Sequence, residues 1–121
     1  MKHSIMVVDD SRVVYAEMVK MLSDTDIEIV KFCRSGEDAI SEYENVKPEL
    51  VTMDIAMPGM DGLDAAEELI KRWPDAKVLM VSSLAYDDII DRACKIGAKG
   101  FLFKPFEKET LIKGLQNALK D

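Results

Sequence analysis

No run of about 18 apolar residues occurs in this chain, so no membrane span is expected. The first residues, Met1-Lys2-His3, lead straight into a short apolar run and leave no space for a signal peptide. Cysteine is scarce. Cys33 and Cys94 stand far apart in otherwise apolar patterns, which argues against a disulfide framework or a zinc site. They read as buried thiols of a reducing compartment, and a cytoplasmic location is the expectation. Basic charge is also short: 16 Lys and Arg face 23 Asp and Glu, for a net charge of −7. Nucleic-acid binding by this domain alone needs a basic face and is therefore not expected. No repeat, low-complexity stretch or linker interrupts the 121 residues, so one domain spanning residues 1–121 is expected.

What the chain does have is an alternation of short apolar runs and amphipathic segments. Strands are predicted near Ile5–Val8, Glu28–Phe32, Leu50–Met53, Val78–Val81 and Gly100–Phe103. The continuous apolar runs suit strands buried on both faces of a parallel sheet. Helical stripes follow each strand: Val14, Met18, Met21 and Leu22 in the first, then Ala39, Ile40 and Tyr43, then Leu63, Ala66, Ile70 and Trp73. Ile89, Ala93 and Ile96 mark the fourth, and Leu111, Leu115, Ala118 and Leu119 the last. Ser35-Gly36, Trp73-Pro74-Asp75 and Ile96-Gly97-Ala98 fall at element ends. Repeated strand–helix units predict an α/β fold with helices on both faces of a parallel sheet.

Four of the runs end in polar residues of different kinds. Ile5–Val8 runs into Asp9-Asp10, Leu50–Met53 into Asp54, Val78–Val81 into Ser82-Ser83, and Phe101–Phe103 into Lys104-Pro105. The gaps between them are one or two strand–helix units long, so each residue returns to the same edge of the sheet. Open α/β sheets bind ligands at that edge. Two unit charges about 4 Å apart cost roughly 4 kcal/mol at an effective dielectric near 20, so three carboxylates there call for a cation. An all-oxygen set with room for water suits Mg²⁺. Lys104 supplies a phosphate partner, and Ser82 a donor to a phosphoryl oxygen. A carboxylate can itself act as nucleophile and form an aspartyl phosphate, and Asp54 is the candidate because it stands between the acid pair and the cation. Each residue has a plainer reading alone: Asp9-Asp10-Ser11 as a helix cap, Asp54 as a turn acid before Pro58-Gly59, Ser82-Ser83 as a turn, Lys104 as a solvated lysine. Their joint occurrence at four strand ends favours a site.

These motifs carry a family likeness. The chain resembles the receiver domain of bacterial response regulators, and in length its single-domain, CheY-like members. The residues that carry it are Val7-Val8-Asp9-Asp10-Ser11, Met53-Asp54-Ile55-Ala56-Met57-Pro58-Gly59-Met60-Asp61-Gly62, Val81-Ser82-Ser83, Gly97-Ala98 and Lys104-Pro105-Phe106. The resemblance implies a flavodoxin-like (βα)5 three-layer sandwich with a parallel five-stranded sheet in the order 2-1-3-4-5. It implies Asp54 as phosphoacceptor, Asp9, Asp10 and Asp54 as holders of Mg²⁺, and the Ala56 backbone carbonyl as a further metal ligand. Ser82 would be the switch hydroxyl, Lys104 the phosphoryl contact, and Lys104-Pro105 a cis peptide. Phe101 takes the aromatic switch position; by period two it shares a face with Phe103 and points away from Leu102. Simple burial of Phe101 is the alternative. Ala56 and Leu84 stand where the family tunes dephosphorylation, and neither can orient a water, so slow autodephosphorylation is expected.

The function so implied is a signal receiver, not an enzyme beyond its own aspartyl phosphorylation and dephosphorylation. Its partners would be a sensor histidine kinase, a phosphatase, and a downstream target or a second copy of the chain. The last would dock on the face of the fourth helix, fifth strand and fifth helix, near Ala85, Ile90, Phe101 and Phe103. Chemotaxis is the leading pathway. A receiver cut from a longer DNA-binding regulator, or a scaffold that is never phosphorylated, are the alternatives. A flavin carrier of the same strand order is disfavoured because Asp9-Asp10 would repel the FMN phosphate. A haloacid-dehalogenase-type hydrolase is disfavoured because Ala56 replaces its second acid.

Overall fold

Each apolar run forms a strand, and each strand is followed by a helix that returns across the sheet. In a computed structural model describing residues 2–84 and 86–120, the strands are β1 (His3–Val8), β2 (Ile27–Cys33), β3 (Leu50–Asp54), β4 (Val78–Ser82) and β5 (Gly100–Phe103). The helices are α1 (Arg12–Leu22), α2 (Gly36–Val46), α3 (Gly62–Arg72), α4 (Asp87–Lys95) and α5 (Lys108–Leu119). All pairings are parallel and the order is β2-β1-β3-β4-β5, as the family likeness implies. β1 and β2 reach beyond their apolar runs because backbone pairing begins already at His3 with Ile27.

Strand side chains alternate between faces, and this builds two cores. Ile5 and Val7 join Met18 and Leu22 of α1 and Leu111 and Leu115 of α5. Met6 and Val8 join Ala39 of α2, Leu63 and Leu69 of α3, and Ala93 of α4. The result is three layers, with α1 and α5 on one face and α2, α3 and α4 on the other. Each fully buried Leu, Ile or Met contributes roughly 1.5–3 kcal/mol relative to exposure.

Local chemistry sets where the helices start. Ser11, Ser35 and Asp61 cap α1, α2 and α3, accepting from the backbone amides of Val14, Asp38 and Asp64 at 3.2, 3.1 and 2.9 Å. The cap reading of Asp9-Asp10-Ser11 thus falls to Ser11, and both acids remain for other work. α4 and α5 begin at Tyr86 and Glu107 with no side-chain cap bond. At the start of α3, a Cβ on Gly62 would collide with the Asp54 carbonyl oxygen. Only glycine lets α3 approach the end of β3 so closely.

One expectation needs correction. Cys33 is buried, but Cys94 is exposed. Ala93 is the buried residue of α4, and a helix turns about 100° per residue, so its neighbour Cys94 faces solvent. Among the described residues no helix is long and apolar enough to cross a membrane.

Candidate functional site

Parallel register delivers the polar residues to one crevice. Val8 pairs with Met53, so Asp9 and Asp54 emerge side by side on adjacent central strands. Asp54 pairs with Val81, and Ser82 with Phe103. The pairing continues past the strands: the amide of Asp9 donates to the Cys33 carbonyl at 3.0 Å, and that of Lys104 to the Ser82 carbonyl at 2.9 Å. The Lys104–Pro105 peptide is cis, as the likeness implies.

Carboxylate oxygens of Asp9, Asp10 and Asp54 lie within 4.8 Å of one another. Asp9 and Asp54 are only 2% and 4% exposed, while Asp10 lies toward the mouth. Lys104 Nζ bridges the two buried acids, 2.8 Å from Asp9 Oδ2 and 3.2 Å from Asp54 Oδ1. The other Asp9 oxygen accepts from the Ser11 amide at 2.9 Å. Asp9 is therefore held at both oxygens.

Asp54 is less well satisfied. Burial, then the charge of Asp9, push its carboxyl from 3.8 up to about 6, against the pull of Lys104 and with a further push from Asp10. Burial would depress the Lys104 ammonium, but its bond to Asp9 and the charges of Asp54 and Asp9 hold it above its usual value. Lys104 is thus a fixed positive charge at neutral pH, and Asp54 is mostly ionised there yet poorly compensated.

The donor set answers which cation fits. Three carboxylates converge on one point, all donors are hard oxygens, and a single ammonium leaves the cluster with net negative charge. That composition fits Mg²⁺ better than a soft metal, which prefers sulfur or imidazole.

The remaining predicted residues divide into near and far. Ser82 is 1% exposed at the end of β4, and its Oγ accepts from the Leu84 amide at 2.9 Å. Ala56 is exposed two residues beyond Asp54. Phe101 lies away from the acid cluster on β5, half-buried against the α2–α3–α4 layer. Its ring is 5.0 Å from that of Phe103, so the shared face is as predicted. Phe103 is 45% exposed and Ile90 partly buried, while Ala85 lies outside the described residues. The sequence reading missed the wedge at Gly62, whose only signal is a glycine directly after the capping Asp61.

A family model described as "Response regulator receiver domain" matches residues 5–116. The chemotaxis protein CheY of Listeria monocytogenes is 36% identical over 96% of this chain and 98% of its own length. That of Thermotoga maritima is 32% identical over 96% and 97%. Among solved structures, CheY in the CheX–CheY–BeF3–Mg complex of Borrelia burgdorferi superposes with a TM-score of 0.93 at 25% identity, over 98% of this chain and 90% of that one. The response regulator domain of Thermotoga maritima CheB gives 0.85 at 30% identity, over 100% and 99%.

Proposed function

The chain belongs to the response regulator receiver family and is CheY-like, and on that premise we propose that it is switched by phosphorylation of Asp54. One observation carries the proposal: Asp54 is buried at a strand end with an acid pair on one side and the Lys104 ammonium on the other. Asp9, Asp10 and Asp54, with the Ala56 carbonyl, would hold Mg²⁺. That ion, when bound, supplies the positive charge that lets a phosphoryl group approach three carboxylates.

The donor is a phosphohistidine on a sensor kinase. An Asp54 carboxylate oxygen attacks phosphorus in line, the P–N bond breaks, and its electron pair returns to the imidazole. Lys104 is already 3.2 Å from Asp54 and neutralises charge on the transferred oxygens. Ser82 then donates its hydroxyl to a phosphoryl oxygen, drawing the loop after β4 toward Asp54. This biases a two-state equilibrium of α4 and β5, with Phe101 as the aromatic element. Leu84, Tyr86 and Phe103 expose large apolar side chains around that face, 37%, 61% and 45% respectively. A downstream protein or a second copy docks there through the α4-β5-α5 face. A phosphatase supplies the polar group that Ala56 and Leu84 lack.

The pathway is a two-component phosphorelay of the chemotaxis kind, in the cytoplasm, with residues 1–121 acting as one receiver domain. The complete set Asp9, Asp10, Asp54, Ser82 and Lys104 argues against a scaffold that is never phosphorylated.

Intact mass after incubation with acetyl phosphate and Mg²⁺, beside Asp54→Ala, tests this reading. A phosphoryl adduct that requires both Mg²⁺ and Asp54 is the expected result. Absence of an adduct together with absence of Mg²⁺ binding would refute it in favour of the scaffold.

A further inference from the structure

α4 is the most lightly packed helix of its layer. Of its nine residues only Ala93 is buried, whereas α3 buries Gly62, Leu63, Ala65, Ala66 and Leu69. The residue just before it, Tyr86, is 61% exposed and makes no side-chain cap bond. One side chain compensates. Arg92 Nη2 donates to Asp64 Oδ1 at 2.5 Å and to Glu67 Oε1 at 3.2 Å. Asp64 and Glu67 are three residues apart and share one face of α3. Their carboxylates are free for this because the α3 cap is made by Asp61.

The two helices differ in how they are tied to the site. α3 starts at Gly62, wedged against the Asp54 carbonyl, and its amide donates to the Ile55 carbonyl at 2.8 Å. It cannot shift without moving the end of β3. α4 hangs from Ser82 through the short segment that holds Leu84 and Tyr86, and the Leu84 amide is bonded to the Ser82 hydroxyl oxygen itself. A displacement of Ser82 toward Asp54 therefore pulls on the start of α4. Arg92 joins the movable helix to the anchored one.

We infer that Arg92 is a positioning residue, whose clamp on Asp64 and Glu67 holds α4 in its resting place and opposes the shift that phosphorylation drives. The inference rests on the reading of Asp54 as the phosphorylated residue. The Arg92, Asp64 and Glu67 side chains are 39%, 53% and 56% exposed, so the clamp adds little to global stability. It matters because a two-state gap is itself small and responds to any contact made in one state alone. Linkage then requires that removing the clamp tighten binding of any ligand that favours the shifted state.

The test is the apparent affinity for beryllium fluoride in saturating Mg²⁺, with urea unfolding and hydrogen exchange alongside. Arg92→Gln should bind beryllium fluoride about two- to fivefold more tightly, the range an exposed ion pair allows. The urea midpoint should scarcely move. Asp64→Asn with Glu67→Gln should reproduce the gain, and adding Arg92→Gln to that pair should bring nothing further. Arg92→Lys should restore part of the resting behaviour, and high salt should shrink every difference. Unchanged affinity in both Arg92→Gln and the acid pair would overturn the inference, as would additive gains. If the native chain takes no beryllium fluoride, the phosphoryl reading falls, and exchange at the α4 amides decides the clamp. Selective speeding there in Arg92→Gln would uphold it; unaltered protection would overturn it.

Discussion

The carboxyl ends of the strands bury Asp9 and Asp54 against one ammonium, whereas at the amino ends His3, Asp26 and Glu49 meet in solvent. His3 Nδ1 lies 3.0 Å from Glu49 Oε2, and its Nε2 3.8 Å from Asp26 Oδ2. Glu49 also accepts from the Ser4 amide at 3.3 Å, and its own amide donates to Ser4 Oγ at 3.1 Å. Every charge there has a partner, and water screens what is left. At the opposite end the acids outnumber the cation in a poorly solvated crevice, and Asp54 is left with unfavourable ionisation. The difference separates a structural charge cluster from a functional one. The first lowers the energy of the resting fold, and the second holds a tension that a bound divalent cation would relieve.

The contrast is broken most completely by Asp54→Asn. The variant should take no phosphoryl group from acetyl phosphate, read by intact mass. It should also be more stable than the native chain at pH 7 without Mg²⁺, by about 3 kcal/mol for a shift near two pH units. Because the folded carboxyl is raised, its favourable contribution is complete below 3.8 and disappears as pH rises through about 6. Urea midpoints from pH 4 to 7 should show that decline in the native chain and its absence in Asp54→Asn.

Lys104→Met should act in the opposite sense. It strands two buried carboxylates, and loss of a buried partner costs about 3–5 kcal/mol. Because Lys104 is 19% exposed in its side chain, the lower end of that range is expected at pH 7. The loss should shrink toward pH 5 as Asp54 protonates, and added Mg²⁺ should recover part of it, both read by urea unfolding.

A smaller change sharpens the comparison on the kinetic side. Ala56→Asn places an amide at the mouth of the crevice, where it can orient a water toward the phosphoryl group. The phosphorylated lifetime, followed by loss of the mass adduct, should shorten in the variant. A native lifetime shorter than that of Ala56→Asn would refute slow intrinsic dephosphorylation.

The least effect belongs to the solvent end. The Glu49 hydrogen bond chiefly raises the His3 imidazole, and the same bond chiefly lowers the Glu49 carboxyl. The pair therefore stabilises the fold between the lowered carboxyl value and the raised imidazole value. It is lost as pH rises through the imidazole titration and as it falls through that of Glu49. His3→Gln should flatten the small decline of stability as pH rises through the imidazole titration and leave phosphorylation unaffected.

Much of this was legible in the residues themselves. Continuous apolar runs announced the central strands β1, β3 and β4, because a parallel sheet covered on both faces admits few polar side chains, whereas the edge strand β2 carries Glu28 and Lys31. Asp9, Asp10, Asp54, Ser82 and Lys104 could be found because each directly follows such a run, and the topology sends every run's end to one edge. The exposure of Cys94 was in fact legible in the stripe of Ile89, Ala93 and Ile96, since at about 100° per residue position 94 falls off that face. Less visible was anything that depends on a specific approach. The wedge at Gly62 and the Arg92 clamp join elements whose spacing in sequence says nothing of their distance.

The sequence by itself determined which residues are apolar, with what period, and which polar groups end each run, and from those the sheet and its polar edge follow. Only the tertiary structure decided that Lys104 would bridge Asp9 and Asp54, that burial would raise the Asp54 carboxyl, and that Arg92 of α4 would reach Asp64 and Glu67 of α3. The reason is physical: patterning is a property of neighbours along the chain, whereas desolvation and Coulomb energy depend on distances that exist only after the layers have packed.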